Sequence, residues 1–134
     1  MKLINFAIFA ILSTSFIACN KDDAASAPIP SSAIVEGLYN GKYGMGDDAP
    51  NKNYTLKFSG TGTIQEIGQA SGRPTGQGTF TLTGNHLSAN YKMLFTPFNE
   101  YYIDATYDQA TKSLTGTWGY GKGGNYGGKF SVQK

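Results

Sequence analysis

From Val35 to the end of the chain, apolar and polar residues alternate in short runs, and turn-forming residues separate the runs. Tyr39, Gly41 and Tyr43 share one face. So do Tyr54, Leu56 and Phe58, then Gly78, Phe80 and Leu82. Leu87, Ala89, Tyr91, Met93 and Phe95 form the longest set. Tyr101, Ile103, Ala105 and Tyr107 follow, then Leu114, Gly116 and Trp118, and finally Gly128, Phe130 and Val132. Residues 61–67 read as a further strand with a less clean pattern. A period of two is the signature of a strand with one buried face.

The breaks carry turn chemistry. Ser59-Gly60, Gly84-Asn85, Thr96-Pro97-Phe98-Asn99 and residues 108–112 separate successive runs. Gly and Asn tolerate positive φ, and Pro has no N–H for a ladder. Connections this short join antiparallel neighbours. Eighteen Gly in 134 residues is about twice the usual share, and nine Tyr and eight Phe accompany them. Beyond Ser32 the chain is poor in helix formers.

Eight short strands without a helix predict an all-β fold. A flat meander would leave two exposed edges, and eight strands are enough to close a small barrel. A β-sandwich is the competing architecture, but it needs at least one long crossover. The expectation is a small antiparallel up-and-down barrel of about eight strands over residues 35–134. Glycines on the apolar faces (Gly41, Gly78, Gly116, Gly128) suit a strongly bent sheet.

The N-terminal region reads differently. Lys2 precedes an apolar run from Leu3 to Leu12, which Ser13, Thr14 and Ser15 dilute. The run is too short to span a bilayer, which takes ~20 apolar residues, but it suits a cleaved export signal. It ends at Phe16-Ile17-Ala18-Cys19, and Cys19 is the only cysteine. This resembles the lipobox of bacterial lipoproteins, in which the cysteine is acylated and becomes the mature N-terminus. The resemblance implies a signal peptide over 1–18 and a membrane anchor at Cys19. An ordinary secreted protein with a free thiol and an uncleaved anchor helix are the alternatives.

Lys21, Asp22 and Asp23 resemble the short export tag of Bacteroidota lipoproteins, which implies an outer-membrane protein on the cell surface. A charged start to a linker, with the protein on the periplasmic face, is the alternative. Residues 19–34 are expected to be the lipidated N-terminus and a flexible linker, small, polar and interrupted by Pro28 and Pro30. About 14 residues at up to ~3.3 Å each bound its reach.

The barrel sequence resembles small lipoproteins with lipocalin-like or avidin-like meander barrels. The matching pieces are residues 36–43, 78–85 and 114–119, of the Gly-Thr-aromatic kind. Many such proteins have no assigned activity. The first strand carries Tyr39 where that group often has Trp, and a single Trp argues against biotin.

Composition excludes some chemistries. Removing the segment before Cys19 takes away Lys2 and leaves ten basic against nine acidic residues, with no basic cluster for nucleic acid. No second cysteine is available for a disulfide or a thiolate zinc site. His86 is the only histidine and follows a turn. No Gly-x-Ser-x-Gly elbow occurs. Asp47 and Asp48 lie in a loop with Asn51 and Asn53, where oxygen ligands could gather calcium, although the spacing is not that of an EF-hand. The Gly-rich segment 119–128 matches no phosphate loop and reads as a hairpin loop whose tyrosines suit contact. Glu66 and Asp104 are placed on outward strand faces. No catalytic residue, metal or cofactor is assigned.

The aromatic load on inward faces therefore carries the functional expectation. Tyr39, Tyr54, Phe58, Phe80, Tyr91, Tyr107 and Trp118 line a ligand cavity or fill a core. A cavity of ~300 Å³ or more favours a small apolar or aromatic ligand. A packed interior favours a protein-interaction or inhibitor module that works through its loops.

Overall fold

A computed structural model describes residues 31–134. The expected signal peptide, Cys19 and the Lys21, Asp22, Asp23 tag lie outside the described residues. Eight strands follow one another: β1 Gly37–Tyr43, β2 Lys52–Phe58, β3 Thr63–Ile67, β4 Pro74–Thr83, β5 His86–Met93, β6 Glu100–Asp108, β7 Ser113–Gly119 and β8 Gly128–Gln133. Each pairs antiparallel with the next, and β8 returns to β1 from Asn40↔Gln133 to Tyr43↔Phe130, so the barrel is closed. Closure leaves no free edge.

The alternation in sequence becomes inside and outside. Leu87, Ala89 and Tyr91 are buried on β5, and Leu114 and Trp118 on β7. Tight curvature explains the inward glycines. A Cβ on Gly41 would run into the Ser131 carbonyl, and one on Gly116 into the Asp104 carbonyl. The strands cross too closely there for any other residue.

The two ends of the barrel differ. Short turns at 59–62, 84–85 and 109–112 close the lower end. Residues 31–34, read from sequence as the end of a linker, form a helical turn, α1 (Ser31–Ile34), packed under the barrel. Ser32 Oγ donates to the Gly60 carbonyl at 2.6 Å, and the Tyr107 hydroxyl donates to the Ile34 carbonyl at 3.4 Å. Val35 is fully buried. The packed unit thus begins before Val35.

Longer loops, 44–51, 68–73, 94–99 and 120–127, surround the upper end, or mouth. The fifth strand stops at Met93, short of the expected Phe95. Met93 N–H donates to the Asn99 carbonyl and Leu94 N–H to the Thr75 carbonyl, in register with the β5–β6 and β4–β5 ladders, and the chain then bends through 94–97. Phe95 is left exposed in the loop. The third strand begins at Thr63, because residues 59–62 are used by a turn in which Gly62 has φ 84°.

Candidate functional site

The lower half of the barrel is solid. Tyr39 meets Phe58 edge-on at 5.4 Å between ring centroids, and Phe58 meets Phe80 edge-on at 5.1 Å. Leu56, Ile64, Leu87, Leu114 and Val132 complete this packing. Each fully buried side chain of this size contributes roughly 1.5–3 kcal/mol. Of the seven aromatics read as cavity or core, Tyr39, Phe58, Phe80 and Tyr107 belong to this filled half.

The other three, Tyr54, Tyr91 and Trp118, face a half-open cavity of about 210 Å³ under the mouth. Tyr43, Met93, Tyr101 and Glu66 complete its wall. Tyr43 stands edge-on to Trp118 at 5.1 Å and at 64° to Tyr54 at 5.4 Å. Tyr101 bridges Tyr91 at 5.5 Å and Trp118 at 5.8 Å. The Trp118 indole N–H donates to the Gly44 carbonyl at 2.9 Å, which fixes the ring and anchors the 44–51 loop. The Tyr54 and Tyr91 hydroxyls are hydrogen-bonded at 2.9 Å.

Glu66 corrects the sequence reading. It lies on the same strand face as Ile64 and turns inward, where the register of β3 against β4 shifts between Glu66 and Ile67. Burial raises its carboxyl above the ordinary 4.5, and the nearby Tyr91 and Thr75 hydroxyls oppose the rise, Thr75 also donating to the Glu66 main-chain carbonyl at 3.3 Å. Burial also raises the Tyr54 and Tyr91 hydroxyls. Opposite Glu66, Gly76 leaves room for the Tyr91 ring. A Cβ there would lie 2.6 Å from the Tyr91 ring and 3.5 Å from the Glu66 Cβ.

Asp104 is on the outer face, as expected, within 3.1 Å of His86 Nε2. Both side chains are solvated, and no Lys or Arg pairs with a carboxylate among the described residues. Asp47 and Asp48 are exposed, and no group of three or more metal-ligating side chains forms among the described residues.

The rim of the mouth is apolar. Of eight large hydrophobic residues exposed among the described residues, six occupy its loops: Met45, Leu94, Phe95, Phe98, Tyr120 and Tyr126. Tyr126 is 86% exposed and holds φ at 64°, a conformation that costs a non-glycine residue about 1–2 kcal/mol.

No protein-family model, curated protein or solved structure matches this chain at a significant level.

Proposed function

We propose that the chain is a lipid-anchored protein of the bacterial outer membrane, displayed on the cell surface, whose barrel mouth binds a small ligand without converting it. The division of the interior supports this reading. Tyr39, Phe58 and Phe80 pack ring against ring, while Tyr54, Tyr91 and Trp118 border open space. At about 210 Å³ the space is below the ~300–1,000 Å³ of pockets for drug-sized ligands, so the occupant is small or inserts one group. Lipid attachment at Cys19 fits the same picture. The described chain starts at the closed end, next to the 59–62 turn and opposite the mouth.

Trp118 is the only tryptophan, so its fluorescence reports this cavity alone. Titrating the detergent-solubilised protein with a library of small aromatic, aliphatic and charged compounds is the test. A saturable change in Trp118 emission for a subset of them is the expected result. A flat response across the library overturns ligand binding.

The apolar rim favours a second reading, in which the loops dock a protein. Exposed aromatic and Met side chains are enriched at such contacts, and Tyr126 is the most exposed of them.

A further inference from the structure

Resting on the ligand-binding reading above, we propose that the mouth cavity is a site for a small organic cation, an ammonium group with an apolar shell. Five aromatic rings (Tyr43, Tyr54, Tyr91, Tyr101 and Trp118) and one carboxylate, Glu66, surround it. Ring faces carry negative quadrupole potential, and a cation within about 6 Å of a ring centroid is attracted to it. One ring already attracts a cation: Lys52 Nζ lies 5.9 Å from the Tyr43 centroid.

Charge bookkeeping selects the ligand class. Among the described residues no Lys, Arg or His lies within ion-pair distance of Glu66. A carboxylate drawn from water is costly unless something compensates it. The Tyr91 and Thr75 hydroxyls compensate it only in part, since its proton affinity is still raised. A neutral apolar ligand would expel the remaining water from Glu66 and supply nothing in return. An anion would be repelled. A cation supplies the missing charge, and the rings shield it from water. The volume suits a trimethylammonium or alkylammonium group, and the Met93 thioether adds a polarisable wall.

The test is calorimetric titration of the detergent-solubilised protein with choline and with 3,3-dimethylbutanol, its uncharged isostere. Choline is expected to bind at least about tenfold more tightly. In Glu66→Gln, which keeps the shape, the preference should disappear. Tyr101→Leu, at the half-buried rim, should weaken choline severalfold and serves if Glu66→Gln does not fold. Equal or tighter binding of 3,3-dimethylbutanol overturns the cation assignment and leaves ligand binding standing. Absence of choline binding also overturns it; ligand binding itself then falls only if the whole library leaves Trp118 unchanged.

Discussion

Trp118 on β7 donates its indole N–H to the carbonyl of Gly44, just past the end of β1, at 2.9 Å. The bond ties two non-adjacent strands across the mouth and turns the ring toward the cavity. Trp118→Phe keeps most of the ring packing but leaves the buried carbonyl unpaired. It should lower stability by about 1–3 kcal/mol. Trp118→Ala should lose ~3–5 kcal/mol, a large part of a small domain's ~5–15 kcal/mol. Urea unfolding of both variants checks the order, and an equal loss for the two would contradict a separate role for the bond.

Tyr39 is fully buried in the lower core, and its hydroxyl makes no well-formed hydrogen bond among the described residues: the neighbouring Tyr107 hydroxyl is turned to the Ile34 carbonyl instead. Burying an unpaired polar group costs about 1–3 kcal/mol. Tyr39→Phe should therefore stabilise the protein by roughly 1 kcal/mol, seen as a higher urea midpoint with unchanged slope. By contrast, His86→Ala removes only a solvated pair and should change stability by about 0.5 kcal/mol or less.

Glu66 links stability to pH. Its folded-state carboxyl is raised above 4.5, so the native state holds its proton more tightly than the unfolded chain does. That contribution is fully present below about pH 4.5 and is lost as pH rises through the folded value. The titratable groups facing it are Tyr43 from β1, Tyr54 from β2, Tyr91 from β5 and Tyr101 from β6. Burial raises Tyr54, Tyr91 and Tyr101, so they stay neutral across this window. Glu66→Gln should flatten this part of the profile and be at least as stable as the parent at pH 7. Thermal melts between pH 4 and 8 measure it; an unchanged profile would place the carboxylate in water.

Anchoring is tested separately. Cys19→Ser should abolish labelling with a palmitate analogue and leave a precursor or a soluble protein. Replacing Lys21, Asp22 and Asp23 by Ala should protect the protein from protease added to intact cells, whereas the parent is digested. Labelling that persists in Cys19→Ser would contradict the lipid anchor.

The barrel was legible because period-two faces and Gly- or Asn-bearing turns are local signals, and eight of them leave closure as the simplest solution. The end of β5 was less so. Apolar alternation runs on through Phe95, while the strand ends at Met93 and the chain bends away through 94–97. The inward carboxylate was present in the pattern, since Glu66 is two residues from Ile64, but a carboxylate is ordinarily assigned to the solvent face. Nothing local distinguishes Tyr39 and Phe58 from Tyr54 and Tyr91. Strand stagger and the plug at Ser31–Ile34 decide which aromatics meet each other and which meet open space.

On the ligand-binding proposal, only the upper half of the barrel receives a ligand. NMR of the isotopically labelled protein during a choline titration tests it most directly. Saturable shifts of the Trp118 indole N–H and the Met93 methyl are expected, with the Leu114 and Val132 methyls of the packed half unmoved. Shifts confined to the outer face, with Trp118 and Met93 unchanged, would contradict it.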